Sequence, residues 1–378
     1  MAERRLRVLA TVTFNENQLR AHLLPILALD EVEEVVLVTD NPPPALPKLR
    51  AVVPPRALVR IFGRAGAKLI VCIRVARRER PDWVIGFNLV PHGLNAIATA
   101  RAAGARSLYV MIGGDREWLE GGWSSDNGVL GRLRRPAPRL ERLLLRAIRR
   151  ATYVATMGSK GQRALVARGV EPEHIVTITP AVDVERFAPG PEDRTRTYDV
   201  ITVGALLPNK RTADLVRVAA RLVRNHPKLR VAIAGAGPLE SELRSLAADL
   251  GVDGVVEFLG FRADIDALYS DARIFVLLSA SEGLSIAMLE AMTSGLPPVV
   301  TEVGELGDFI RDGETGRLFV PGDVDALAEI LDGLLRDREL RASMGRAAAA
   351  DVPSRVAVDA VAGAYRTLFS VSREPERA

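Results

Sequence analysis

The sequence holds a single cysteine, Cys72, in 378 residues, so neither an internal disulfide framework nor a four-cysteine metal site can form. That fits a reducing compartment, and the expected location is the cytoplasm. Aromatic residues make up only 5% of the chain. No basic stretch interleaves them with arginine as single-strand stacking platforms require, so nucleic acid is not an expected partner. Long apolar runs are missing too: none approaches the roughly 18 residues that span a bilayer, and Leu6 to Thr13 is too short and too polar-flanked for a secretory leader. Histidine is scarce, four in all, and no histidine and cysteine cluster with metal-ligand spacing. Asp264 and Asp266 fall in a helical pattern, so neither a metal nor a bound cofactor is expected.

What is there is a chain that is 48% hydrophobic and 26% charged, long enough for a substantial core and, at this length, for two domains. Short β-branched runs at Arg7–Thr11, Val35–Thr39, Trp83–Phe87, Ser107–Met111 and Tyr153–Thr156 alternate with amphipathic stretches, the pattern of buried parallel strands and covering helices. A second series follows at Val200–Val203, Arg230–Ala234, Val255–Phe258, Ile274–Leu277 and Pro298–Thr301. Between them Asp183–Arg196, with Pro189, Gly190 and Pro191, can continue neither helix nor sheet and reads as the linker. The expected domains are therefore residues 1–190 and 191–354, with a C-terminal helix over 355–378 packing back on the first.

The formal net charge is only +4, yet arginines crowd the first 170 residues. Arg56, Arg60, Arg64 and Lys68 recur every four residues beside Leu58, Ile61, Phe62, Leu69 and Ile70, which predicts a cationic face on an amphipathic helix. Arg139, Arg142, Arg146, Arg149 and Arg150 flank a second stripe of Leu140, Leu143, Leu144, Ala147 and Ile148. An anionic membrane surface suits either helix, and so does simple packing on its own domain.

The most informative stretch is Ser279-Ala280-Ser281-Glu282-Gly283-Leu284-Ser285-Ile286-Ala287-Met288-Leu289-Glu290-Ala291-Met292, which joins a strand to a helix. Gly283 lets the backbone approach a ligand closely, and the amides of Gly283, Leu284 and Ser285 at the helix start favour an anion such as a diphosphate. Glu290, one to two turns into the helix, can accept hydrogen bonds from ribose hydroxyls, while Glu282 in the loop faces an attached sugar.

This phrase, with the following Gly295-Leu296-Pro297, closely resembles the signature of family-4, retaining, group 1 glycosyltransferases of the GT-B fold. The resemblance implies an α/β architecture of two Rossmann-like domains facing each other across a cleft, a nucleoside diphosphate sugar as co-substrate rather than a cofactor, and a glycan or lipid-linked acceptor. It extends over most of residues 180–321. Val203-Gly204-Ala205-Leu206 through Lys210-Arg211 looks like the family's phosphate motif, with Lys210 on the diphosphate, although Ala205 stands where arginine is common. Ala234-Gly235-Ala236-Gly237-Pro238 resembles the element beside the donor, and Phe261 and Arg262 fall where the nucleobase would be read. Pro180-Ala181-Val182-Asp183 with Phe187 resembles the interdomain phrase.

The first half matches more loosely. Met111-Ile112-Gly113-Gly114-Asp115 resembles the family's histidine-containing segment, with Ile112 in the histidine's place. Asn15, His92 and Asp115 are the acceptor-side candidates, against the plainer readings of a helix cap, a structural histidine and a turn-capping aspartate. Lys210 and Glu282 are the catalytic candidates. Two other readings stay open: a donor-binding GT-B subunit with weak or no activity, and a sugar-nucleotide epimerase on the same fold, for which no obvious set of acids and bases is present.

Overall fold

The computed structural model describes residues 5–114, 138–191 and 195–371 of the chain, and it divides into two compact units. Unit 1 comprises Met1–Ala181 and Val358–Ala378. Its strands are β1 (Leu6–Thr11), β2 (Val32–Val38), β3 (Leu49–Val52), β4 (Trp83–Phe87), β5 (Arg106–Val110), β6 (Tyr153–Thr156) and β7 (Ile175–Thr177). All pair in parallel in the order β3-β2-β1-β4-β5-β6-β7. The central strand β4 is apolar and buried throughout because helices cover both faces, as in any doubly wound sheet.

Helices α1 (Glu16–Leu27), α2 (Arg56–Glu79), α3 (Leu94–Ala103), α4 (Pro138–Ile148) and α5 (Ser159–Val166) connect these strands. Trp83 and Phe87 of β4 share one core cluster with Leu19, Leu23 and Ile26 of α1. The final helix of the described chain, α13 (Val358–Val371), joins that cluster through Val361, Ala362, Tyr365, Leu368 and Phe369. The Phe369 ring lies 5.1 Å from that of Trp83.

Unit 2, Val182–Ala357, holds β8 (Tyr198–Val203), β9 (Val231–Ala234), β10 (Val256–Gly260), β11 (Ala272–Leu277), β12 (Pro298–Thr301) and β13 (Arg317–Phe319). These are parallel in the order β10-β9-β8-β11-β12-β13. Its helices are α6 (Thr212–Leu222), α7 (Glu240–Asp249), α8 (Ile265–Ser270), α9 (Ile286–Thr293), α10 (Val324–Arg336), α11 (Arg338–Asp351) and α12 (Pro353–Val356). In each sheet the strand order reverses once, between β1 and β4 in unit 1 and between β8 and β11 in unit 2. Ligands of such sheets bind outside the carboxyl ends of the strands at that reversal.

Three expectations change. The division falls at Ala181/Val182, ahead of the expected 190/191, because the linker's apolar and charged groups already belong to unit 2. Phe187 packs 6.0 Å from Tyr269, Arg186 donates to Asp266 at 2.6 Å, and Val182 N–H donates to the Val356 carbonyl at 2.8 Å. The C-terminal stretch is likewise broken at Ala357, where α12 stays with unit 2 and α13 returns to unit 1.

The cationic face over residues 56–68 is also broken, since Gly63 (φ 67°, ψ 173°) kinks α2. Arg60, Ile61 and Phe62 are exposed, the last two at 71% and 54%, whereas Lys68 is buried and ion-paired. In α4, Leu144 and Ile148 are buried in unit 1's own core while Leu143 stays exposed. Among the described residues no helix is long and apolar enough to cross a membrane.

Candidate functional site

In unit 2 the residues singled out from the sequence gather at the carboxyl ends of β8, β9 and β11. The loops after β8 and β9 touch backbone to backbone. A Cβ on Gly235, where φ is +148°, would lie 1.8 Å from the Gly204 carbonyl oxygen, and one on Gly237 would lie 2.5 Å from that of Leu206. Side chains are excluded by this approach, which is the physical reason for the glycines. Gly204 itself faces open space, with nothing within 4 Å of where its Cβ would be.

The loop after β8 is tied in turn to the loop after β11, because Ala280 N–H donates to the Asn209 carbonyl at 2.7 Å. This tie places the Lys210 ammonium against the Glu282 carboxylate. Ser279 Oγ donates to the same Glu282 oxygen at 2.6 Å. The Lys210 and Glu282 side chains keep 23% and 12% of their exposure, so the pair is sheltered but reachable.

Behind the pair, Glu305 N–H donates to the Gly283 carbonyl at 2.8 Å, and a Cβ on Gly304 would come within 2.1 Å of the Glu282 carbonyl oxygen. Ser285 caps α9, its Oγ accepting from Met288 N–H at 3.3 Å, which satisfies one of the first-turn donors. Leu284 and Glu290 are both buried, Glu290 at 3%. The Tyr269 hydroxyl donates to the Ala287 carbonyl at 3.0 Å. Burial first, and the Glu290 charge second, raise the Tyr269 phenol well above its ordinary value.

Other candidates stand apart from this pair. Arg211, in the left-handed region at φ 50°, turns its guanidinium to Asp214 at 2.8 Å and lies against Gly322. Arg262 grips Asp264 through two hydrogen bonds at the end of β10, and Phe261 beside it is 83% exposed. Pro238 sits exposed in the loop after β9.

In unit 1 the structure sorts the acceptor-side candidates differently. Asn15 caps α1 in a reciprocal box, accepting from Gln18 N–H at 2.9 Å while its own N–H donates to the Gln18 side chain at 3.3 Å, so its side chain serves the helix. Asp115 lies outside the described residues. Ile112 packs against the first unit's core.

His92 is buried beside β1, with Nδ1 3.1 Å from Thr11 Oγ1 and Nε2 3.5 Å from Thr13 Oγ1. Burial, aided by the Lys68 charge, lowers its pKa to about 3, so the ring is neutral at pH 7. Next to it Lys68 Nζ donates to Thr13 Oγ1 at 2.6 Å and to Asp40 Oδ2 at 2.7 Å, and Thr13 Oγ1 donates to Asp40 Oδ2 at 2.7 Å. Thr13, Asp40 and Lys68 were not singled out as site residues from the sequence. They come from just past the ends of β1 and β2 and from the middle of α2, and helical spacing places Lys68 on the cationic face rather than in the interior. Burial lowers the Lys68 pKa against the opposing pull of Asp40.

Two parallel sheets, each with polar groups at its strand-order reversal, define an α/β protein of the GT-B class. Its likeness to HepE of Anabaena, solved in complex with UDP, shows that fold: a TM-score of 0.75 over 97% of this chain and 100% of that one, at 18% identity. The description Glycosyltransferase Family 4 matches residues 29–186, and Glycosyl transferases group 1 matches residues 184–351. The chain belongs to the group 1, family-4 glycosyltransferases. It is 32% identical over 265 residues to the GDP-mannose-dependent alpha-(1-6)-phosphatidylinositol monomannoside mannosyltransferase of Mycolicibacterium smegmatis, covering 65% of each chain. It is 34% identical over 196 residues to the D-inositol 3-phosphate glycosyltransferase of Corynebacterium aurimucosum, covering 47% of each. The matched stretches thus span less than two thirds of either relative's length.

Proposed function

We propose that this chain transfers a sugar, with retention of anomeric configuration, from a nucleoside diphosphate donor to a hydroxyl of a glycan or lipid-linked acceptor in cell-envelope synthesis. The observation that carries the reading is the sheltered Lys210–Glu282 pair beside open Gly204, at the strand-order reversal of unit 2. In this reading the donor's sugar–phosphate bond breaks while the acceptor oxygen bonds to the anomeric carbon. The acceptor proton passes to the departing diphosphate. Lys210 stabilises the charge that grows there, together with the amides of Gly283 to Ser285. Glu282 positions the sugar hydroxyls and Glu290 the ribose. The ammonium supplies the positive charge at the diphosphate, so transfer proceeds without an added metal.

The relative named for GDP-mannose and a phosphatidylinositol mannoside, and the neighbour solved with UDP, support a nucleotide-sugar donor and a lipid-linked acceptor. Exposed Ile61 and Phe62 beside Arg60 support a peripheral position on an anionic membrane face, expected to be the inner one.

Incubation with candidate nucleotide sugars and a phosphoinositide-type acceptor, in the presence of a chelator, is expected to give a glycoside with the donor's anomeric configuration by proton NMR. An inverted product would remove the retaining mechanism, and activity lost with the chelator would remove metal independence. The packing of partly buried Ile112 against the core, at the position where the family resemblance implies a histidine, favours one second reading, a donor-binding subunit. Donor binding without any turnover would select it.

A further inference from the structure

The Glu282 carboxylate is held by one oxygen only. Its Oε1 accepts from both the Lys210 ammonium and the Ser279 hydroxyl, while its Oε2 accepts from no group among the described residues. The two donors differ in kind. Lys210 reaches across from the loop after β8 on a flexible stem, with its side chain 23% exposed. An ammonium carries three N–H groups around a compact charge, so it can turn to a competing anion.

Ser279 has no such freedom. It is 0% exposed and follows closely on β11. Its carbonyl accepts from Thr301 Oγ1, at the end of β12, at 2.7 Å, and the next residue, Ala280, donates its N–H to the Asn209 carbonyl. The backbone on which the hydroxyl stands is therefore pinned to the two neighbouring segments. A hydroxyl cut off from water is either bonded within the fold or orphaned at a cost, and Ser279 Oγ meets Glu282 Oε1 at 2.6 Å. The ion pair can be exchanged, whereas the serine bond is obligatory.

We propose that Ser279 is a positioning residue, which keeps Glu282 in place, with Oε2 available to the donor's sugar, when Lys210 turns from Glu282 to the donor diphosphate. This rests on the donor site proposed above. A diphosphate carries more charge than one carboxylate and draws the ammonium to itself. At that step Glu282 loses one of its two donors, and without the other it would be free to rotate about its side-chain torsions. The serine confines it. Because the hydroxyl is neutral, it does so without cancelling the charge that makes the carboxylate a strong acceptor for sugar hydroxyls. Loss of the Ser279 hydroxyl is thus felt by the sugar and not by the nucleotide.

Titration calorimetry with UDP, GDP and ADP and with their glucose and mannose conjugates separates the two parts of the donor. The Ser279→Ala variant is expected to bind the nucleoside diphosphate within about twofold of wild type and the matching nucleotide sugar about tenfold more weakly. Ser279→Cys, close in size and a weak donor, should show the same selective loss with less disturbance of the packing. In a Glu282→Ala background, Ser279→Ala should change neither affinity further, since the group it positions is gone. Lys210→Ala, which should weaken both members of the pair, tests the donor site itself. Failure of every probe to bind the wild type, or equal binding by wild type and Lys210→Ala, removes the donor site and the proposal with it. Where Lys210→Ala does weaken binding, three results overturn the role of Ser279 alone: equal losses for nucleotide and nucleotide sugar in the two Ser279 variants, no loss for either, or a further loss on top of Glu282→Ala.

Discussion

Each unit carries a lysine–carboxylate pair at the carboxyl edge of its sheet, beside its central strand, and the two pairs differ in one respect. In unit 2 the Lys210 and Glu282 side chains are 23% and 12% exposed. In unit 1 the Asp40 side chain is 19% exposed but that of Lys68 only 2%, with Thr13 bonded to both and to His92, so the contrast lies in the lysines. The open pair has charge to offer an incoming ligand. The closed pair has already used its charge inside the fold, locking the ends of β1 and β2 to the middle of α2. Under the proposed function the same chemistry serves binding in one unit and folding in the other, according to how far the lysine is exposed.

The largest expected effect belongs to the frame of unit 2. Gly235→Ala sets a methyl group against the Gly204 carbonyl at a φ that L-residues rarely adopt. It should destabilise the protein by about 3 kcal/mol or more, read by urea unfolding, whereas Gly204→Ala at the open position should shift stability by less than about 0.5 kcal/mol. Equal effects would mean that the two loops are not locked together.

Next come the lysines. Lys68→Ala leaves Asp40 without its cation and should cost about 3 kcal/mol of stability, while Lys210→Ala should cost under about 1 kcal/mol yet slow sugar transfer about 10²- to 10³-fold. A reversed pattern would exchange the roles assigned to the two pairs.

A third comparison is the slope with pH. His22 and His92, both in unit 1, have folded-state pKa values of about 3, lowered chiefly by burial. Between pH 6.5 and 3 the unfolded chain therefore binds the protons that the folded chain refuses. Stability is complete above about pH 6.5 and falls with acidification, at most by about 1.4 kcal/mol per pH unit for each histidine. The double variant His22→Phe/His92→Gln should flatten this slope in equilibrium unfolding, and an unchanged slope would place the acid sensitivity elsewhere.

Much of this architecture is legible in the sequence. The strands at Trp83–Phe87, Tyr153–Thr156 and Pro298–Thr301 fall where their apolar runs predict, since central parallel strands must be apolar on both faces. β3, β7 and β13 were not legible. All three are three or four residues long, at sheet edges, and Leu49–Val52 has no fully buried residue, so no apolar run marks them. The kink at Gly63 was hidden because helical spacing runs on across it. The phrase around Glu282 and Glu290 was readable because a single loop and helix supply its parts. The Thr13–Asp40–Lys68–His92 cluster was not, because its members are joined only by the strand order.

The most direct test of the central claim is thermal stabilisation of the protein by a panel of nucleoside diphosphates and their sugars, repeated on Lys210→Ala and Glu290→Ala. The account predicts a rise in melting temperature with one nucleotide at saturating concentration that disappears in both variants. A rise that survives both substitutions would place the nucleotide elsewhere and contradict the donor site proposed for unit 2.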